Sequence, residues 1–528
     1  MKGAIMWCHV ISAALVSAVA AYLRFTGLGE SSLTLDESTM AEFAKGVMAN
    51  GYPSIFVGSM EVPLATYELV PYSIAAAMSL FGVSDFAARL PSAAFGTATA
   101  VLIYVLGARW FDWRVGLSAG LFYALSPWAI YWAHNCFHPN QTQFFALLTA
   151  VQVRAILAND HVPTRTYYLA ALCFICTYLS WEGSGFLLPI LLVVAFIMRW
   201  GRWQWLNRPH LWIASIIVVA VVVAQGVRRS LLQTGYLMVG SGKSDMSLPQ
   251  LVFTESGYNP FYYVSIIFGI ESHIVLGAVF VLGLALLLRD WNIRFVYLYT
   301  LVAIVCMTNL LGYYNSHYIY YVLPAFFLAV AAAVVMGLDV LLRQGGAMVK
   351  LASVRVLHGG IVVAAVALLL ASTTPYGLKP YHMADTYKAP RVFQFRLGLA
   401  GIDYRGLAYS LRDHYRAGDK IIAMTPLALR FYTGLGGDYF LQSITGRKVV
   451  FDPNAPTPVY VDKFAGNPVL RSRADLEDVL ARHPRVWLFA VPFFGYTDVV
   501  DKDLQAFINS NFRVVTESYD GRLYLWER

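Results

Sequence analysis

Charge is scarce in this chain: Asp, Glu, Lys and Arg together make up 13% of its 528 residues, against roughly 25% in soluble domains. That deficit excludes an ordinary water-soluble protein, and the 58% hydrophobic content points to a polymer largely dissolved in lipid. Cysteine is scarce too. Cys8, Cys136, Cys173, Cys176 and Cys306 all precede residue 307, so the C-terminal part is expected to fold without a disulfide framework. Cys173 and Cys176 have redox spacing, but they fall inside an apolar run and read as packing. A phosphate loop is also lacking, because Gly434-Leu435-Gly436-Gly437-Asp438 has neither the helix-opening pattern nor the lysine. The net charge of +8 does not call for nucleic acid, since the basic residues sit mainly in short loops between apolar runs, as membrane topology requires.

What is present is a series of apolar runs, near 4–23, 89–109, 114–133, 141–157, 167–181, 183–200, 211–227, 262–288, 295–313, 317–342 and 357–374. Each approaches the length needed to cross roughly 30 Å of hydrocarbon. Lys2, an apolar core and Ala18-Val19-Ala20 resemble a signal peptide, but the run is long for one, and an uncleaved first span is expected. Charge is sparse up to about residue 375 and dense afterwards. The expected fold is therefore a polytopic α-helical membrane domain over 1–375, with about eleven transmembrane helices. A soluble α/β domain is expected over 376–528. In that tail, 408–416, 427–432, 473–482 and 501–509 read as helices, and 420–424 and 485–491 as strands. Residues 512–526 read as a closing hairpin turning at Asp520-Gly521.

One run, Val62–Phe81, is ambiguous, being interrupted by Glu68 and Pro71. If it lies along the interface, Lys2, Arg109, Arg114, Arg154, Arg165, Arg199, Arg202, Arg208, Arg289, Arg294, Arg343, Lys350 and Arg355 all face the cytoplasm. The first loop, 24–88, then lies outside with the tail, and Asp36, Glu37, Glu61, His138, Glu182, Arg228, Arg229, Lys243 and His317 share that face. Within the loop, Thr34-x-x-Glu37 matches a capping box. Met40, Phe43, Ala44, Val47 and Met48 follow at helical spacing, and Asn50-Gly51 and Pro53 supply a stop. This predicts a short amphipathic helix lying flat on the membrane. Asp36 would stand in its first turn, where a carboxylate favours the helix dipole or can take a proton from an acceptor.

The segment Leu35-Asp36-Glu37-Ser38-Thr39-Met40-Ala41-Glu42-Phe43-Ala44 resembles the Asp-Glu-x-x-x-Ala-Glu-x-Ala signature of GT-C membrane glycosyltransferases. The branch it looks most like is the protein O-mannosyltransferase-like group, which includes the aminoarabinose transferases that modify lipid A. Arg89-Leu90-Pro91-Ser92-Ala93, Leu106-Gly107-Ala108-Arg109-Trp110-Phe111, Gly120 to Ser126-Pro127, and His317-Tyr318-Ile319-Tyr320-Tyr321-Val322-Leu323-Pro324 are similar to later blocks of that family. The resemblance implies transfer of a sugar from a polyprenyl phosphate carrier to an extracytoplasmic acceptor (protein, lipopolysaccharide or other glycan), in the inner membrane. Asp36 would then be the general base, with Glu37 beside it. No metal or other cofactor is expected, the lipid-linked sugar being a co-substrate.

Three departures bear on the donor site. The first-loop lysine of Glu-Lys-Pro-Pro in relatives is absent from Glu61-Val62-Pro63-Leu64. Arg228 and Arg229 are the preferred replacements, with Lys243 and His317 as further candidates. His138-Pro139-Asn140 stands where relatives have Arg-Pro-Asp. Ser180-Trp181-Glu182-Gly183-Ser184 answers their Thr-Lys-Gly-Pro. Glu61, Arg228, Arg229, Lys243, His138, Glu182, His317 and Tyr318 are thus the candidate substrate-binding residues. His134 and His138 have a zinc-compatible spacing, but no third ligand accompanies them. Two rivals remain: an oligosaccharyltransferase-like enzyme, which needs a Trp-Trp-Asp motif in the tail, and a transporter or flippase, whose ionisable residues should lie inside the spans.

Overall fold

The computed structural model describes residues 2–58, 60–64, 66–232, 259–269, 274–286, 290–310, 316–345, 360–368, 403–444, 449–452, 459–491, 499–518 and 521–528. Lys243, the linker near 375–400 and the boundary between 375 and 376 lie outside the described residues. Helix α1 (Lys2–Phe25) leads into α2 (Leu35–Asn50), a hairpin of β1 (Ser54–Val57) and β2 (Met60–Pro63), and α3 (Leu69–Phe81). There follow α4 (Asp85–Trp110), α5 (Trp113–Leu125), α6 (Pro127–Ala133), α7 (Pro139–Ala158), α8 (Thr164–Ser180), α9 (Leu187–Met198) and α10 (Pro209–Leu232). Helices α11 (Tyr262–Gly269), α12 (Ile274–Gly283), α13 (Trp291–Leu310) and α14 (Leu323–Gly345) complete this part, with a further helix over 360–368.

Among the described residues, five helices are long and apolar enough to cross a membrane: Met6–Phe25, Asp85–Trp110, Pro209–Leu231, Trp291–Leu310 and His317–Val340. This is fewer than the eleven runs suggest, because several runs are broken or short. The run 114–133 divides at Ser126-Pro127 into α5 and α6. Pro127 has no N–H to return to the carbonyls of α5, and the guanidinium of Arg24 in α1 takes them instead. It donates to the carbonyls of Ala124 at 3.0 Å and Tyr123 at 3.1 Å. A cation at a helix C-terminus is also favoured by the dipole, so a fully buried arginine becomes the cap of a broken helix. Helices α4 and α5 approach so closely that a Cβ on Gly107 would come within 2.6 Å of the Gly116 Cα, the small-residue packing expected where lipid supplies no hydrophobic drive. The last candidate span is 78% buried and Pro209–Leu231 only 11%. The former is therefore the bundle's core, and α10 stands at its lipid-facing edge.

The residues from 403 onward form a mixed four-stranded sheet of order β3-β8-β10-β9. Its strands are β3 (Lys420–Ala423), β8 (Arg485–Ala490), β9 (Arg513–Glu517) and β10 (Arg522–Glu527), and β3 runs parallel to β8. Short pairs join β4 (Phe440–Leu441) to β7 (Val469–Leu470) and β5 (Val449–Asp452) to β6 (Val459–Asp462). The alternation of strand side chains splits the core. Val486 and Leu488 pack with Leu476 and Ile508 on one face, while Trp487 and Phe489 pack with Leu407 and Leu429 on the other. Helices 473–482 and 502–511 and the closing hairpin fall where the sequence predicts them.

The first loop differs from expectation. Helix α2 has the predicted capping box on Thr34 and ends at Gly51, φ +82°. It does not lie flat on a membrane, however, because every residue from Glu37 to Ala44 is buried. One side packs on α3 and α4, and the other receives the tail helix Pro426–Thr433: Met40, Phe43 and Ala44 share a core with Leu427 and Phe431. Arg430 pairs with Glu42 at 2.8 Å, and Arg405 with Asp85 at 2.7 Å. The tail therefore braces the loop. Leu427→Ala, which empties a fully buried site in this shared core, is expected to cost about 2–5 kcal/mol. The same truncation at exposed Val514 should cost within about 0.5 kcal/mol; thermal unfolding of the purified protein reads the difference.

Candidate active site

The start of α2 is held from α4. Arg89 forks onto Glu37, with Nε to Oε1 at 2.7 Å and Nη2 to Oε2 at 3.0 Å. It also donates to the carbonyls of Leu28, Ser31 and Ser32 and to the Ser31 hydroxyl, at 2.8–3.2 Å. Glu37 in turn accepts from the backbone N–H of Thr34 at 2.8 Å and of Cys136 at 2.9 Å. Burial pushes the Glu37 carboxyl up, but Arg89 and these N–H groups outweigh it and hold it below the usual carboxylate value. Both oxygens are engaged and the side chain is fully buried. Glu37, the catalytic candidate beside Asp36, thus anchors the head of α2 as its capping-box position indicates. Asp36, one residue earlier on the same turn, is exposed.

A second group gathers around Trp181. Tyr67, His138, Trp181 and Tyr318 form a continuous column of stacked rings, with centroids 5.1, 5.1 and 4.8 Å apart and planes within 24° of parallel. His317 meets His138 edge-on at 5.1 Å. Beside the column, Arg229 at the end of α10 lies 3.9 Å from Glu182. Arg228 pairs with Glu68 and donates to the Leu64 carbonyl at 3.3 Å. His138, Glu182, His317, Tyr318, Arg228 and Arg229 are thus brought together. Five of the polar atoms here are buried without a hydrogen-bond partner among the described residues: His138 Nε2, Trp181 Nε1, Glu182 Oε2, Ser184 Oγ and Arg229 Nη1. Buried polar atoms are normally satisfied, and these exceptions come together from three separate stretches of chain.

Tyr67 links the two groups. Burial raises its phenol well above the ordinary value, and the nearby Glu182 and Asp36 carboxylates add to the shift. The hydroxyl therefore stays protonated, within electrostatic reach of both acids. Tyr67 is also the one non-glycine residue with positive φ, +55°, among those described, a conformation that costs a bulky residue about 1–3 kcal/mol and concentrates at functional sites. Glu61 does not join the group. Its Oε1 accepts from Asn50 at 2.7 Å, Tyr52 at 2.9 Å and Ser54 at 2.6 Å. The Ser54 and Tyr52 bonds hold its carboxyl below the ordinary value. Sequence reasoning missed Arg89, Tyr67, Glu68 and Trp181 as site residues. Arg89 and Glu68 carried a signal, being charges within or beside apolar runs that need partners; nothing in the sequence announces a tyrosine at positive φ.

Residues 68–226 match the family described as dolichyl-phosphate-mannose-protein mannosyltransferase. The structure is similar to that of ArnT from Cupriavidus metallidurans in the apo state, with a TM-score of 0.62 and 15% identity over 97% of each chain. The undecaprenyl phosphate-bound form of ArnT gives 0.62 and 14%, again over 97% of each. The fold is thus ArnT-like, and the family match falls on its helical part. The GT-C likeness extends to the apo oligosaccharyltransferase of Archaeoglobus fulgidus, with a TM-score of 0.52 and 12% identity over 81% of this chain and 64% of that one. A comparison with curated proteins finds no significant match. The GT-C resemblance read from the first-loop signature is thus borne out, in a multi-pass membrane protein.

The Asp36-Glu37 pair should separate cleanly on substitution. Because Glu37 titrates below its ordinary value of about 4.3, its contribution to stability is fully present above that pH and is lost as pH falls through the folded value. Glu37→Gln is expected to destabilise by about 3–5 kcal/mol, with a smaller further loss than wild type on acidification from about pH 5 to about pH 3. Asp36→Asn should stay within about 1 kcal/mol of wild type. Melting temperatures across that pH range check both.

Proposed function

We propose that this protein is a GT-C glycosyltransferase that moves a sugar from a polyprenyl-phosphate carrier to an extracytoplasmic acceptor, with inversion and with Asp36 as general base. The acceptor is a protein, lipopolysaccharide or other glycan, and the sugar a hexose or pentose. The observation that carries this reading is a carboxylate exposed to solvent on a helix turn that is otherwise clamped and buried. Such a group is held still, yet is reachable by an acceptor hydroxyl. In the reaction the acceptor oxygen attacks the anomeric carbon and its proton passes to Asp36. The bond from that carbon to the phosphate oxygen breaks, and the electron pair leaves on the phosphate. General base assistance of this kind is typically worth roughly 10²–10⁴-fold.

The phosphate gains negative charge as it leaves, so fixed cations must meet it. Arg228 and Arg229 fill that role, since a guanidinium fork suits phosphate oxygens. The undecaprenyl phosphate bound in one ArnT structure supports a carrier of this type. The ring column and the unsatisfied atoms of His138, Trp181, Glu182 and Ser184 would then face the sugar. The proposed topology has about eleven spans in an inner membrane, with the first loop and the tail outside.

Envelope glycans from cells lacking the protein should miss one sugar, which wild type restores. Asp36→Asn, expressed at the same level, is expected to leave transfer down by about 10²–10⁴; full restoration by that variant would remove Asp36 from the chemistry. Arg228→Gln with Arg229→Gln should lower kcat and raise KM for the lipid donor while leaving KM for the acceptor near wild type.

A further inference from the structure

Glu68 occupies an unusual place for a carboxylate. It stands at the N-terminus of α3, where an acid would ordinarily cap the helix, yet its side chain makes no capping hydrogen bond. The strained turn at Tyr67 precedes it, and its carboxylate reaches across to α10. There it pairs with Arg228 and accepts from Gln225 at 3.4 Å. Arg229 lies 3.9 Å from Glu182, within ion-pair range but beyond a hydrogen bond. Each adjacent arginine at the end of α10 thus has its own carboxylate, drawn from a different part of the chain. The Glu68 and Arg228 side chains are 17% and 38% exposed, so the pair is open to exchange with an incoming anion. It is not a sealed structural clamp of the Arg89–Glu37 kind.

We propose that Glu68 governs release of the spent carrier, by weakening the hold of the Arg228 site on a phosphate monoester more than on the donor's diester. This rests on the reading of Arg228 and Arg229 as the carrier's phosphate cations. The donor is a phosphodiester with one negative charge. Once the sugar has left, the carrier is a monoester with a charge of about −1.5 to −2 near neutral pH. Two bare arginines favour the more highly charged product and would retain it. A carboxylate fixed beside them repels each ligand in proportion to its charge and so flattens that preference. Glu68 is a positioning residue in this scheme, acting on the phosphate through charge and through Arg228.

The test uses the full-length protein in lipid nanodiscs with two probes sharing one tail: decaprenyl phosphate, and its methyl ester as the singly charged diester. Glu68→Gln is expected to tighten both and to tighten the monoester more, shifting the ratio of their Kd values by about twofold to fivefold, the worth of one partly exposed charge pair. Glu68→Asp, which keeps the charge, should leave the ratio near wild type. A ratio unchanged by Glu68→Gln, while Arg228→Gln still weakens binding of both lipids, overturns the proposal alone. Binding of both probes that is indifferent to Arg228→Gln with Arg229→Gln overturns the phosphate-site reading, and the proposal with it.

Discussion

The bidentate contact between Arg89 and Glu37 is the constraint on which the first loop depends. Two charges in a dry interior are tolerated only when every lone pair and proton finds a partner, and this pair meets that condition through Thr34, Cys136 and the carbonyls of residues 28, 31 and 32. In doing so it ties the exit of α1, the start of α2, the beginning of α4 and the segment before α7 into one junction. Asp36 inherits its position from that junction. A neighbouring pair of acids is thereby divided into one that is buried and fully bonded and one that faces outward.

The C-terminal residues extend the same arrangement. Tyr432 accepts from the Leu33 N–H at 2.6 Å and donates to Asp85, so one tail tyrosine touches the residues just before α2 and at the head of α4. With the Arg430–Glu42 and Arg405–Asp85 pairs and the shared apolar core, the tail presses on the side of α2 opposite the bundle. A sixteen-residue helix has little stability of its own in water; packing from both sides makes it a rigid mount. The arginines at the end of α10 are held differently, Arg228 by a partly exposed pair with Glu68 and Arg229 at 3.9 Å from Glu182.

Much of the architecture was legible in the sequence because it follows from local chemistry. The capping box at Thr34, the stop at Gly51, the helices 473–482 and 502–511 and the closing hairpin each depend on neighbours within a few residues. The GT-C fold was legible through the first-loop signature and the blocks after it. The flat amphipathic placement of α2 was misread, because the acidic, small and apolar residues of Glu37–Ala44 show no outward-facing side once the tail is docked. Burial of Glu37 and Glu42 depends on partners at residues 89 and 430, far away in the chain.

The sequence by itself determined that this is a multi-pass, lipid-dissolved chain with an acidic pair at the head of a capped helix, since composition and short-range spacing carry that information. Only the tertiary structure decided which acid of the pair is an anchor and which is exposed. It also paired Arg228 with Glu68, set Arg229 beside Glu182, and stacked Tyr67, His138, Trp181 and Tyr318 into one column. The physical reason is that a charge or a ring face is satisfied by whatever lies within a few ångströms. In this protein those partners come from segments separated by dozens to hundreds of residues, whose meeting is settled by helix packing.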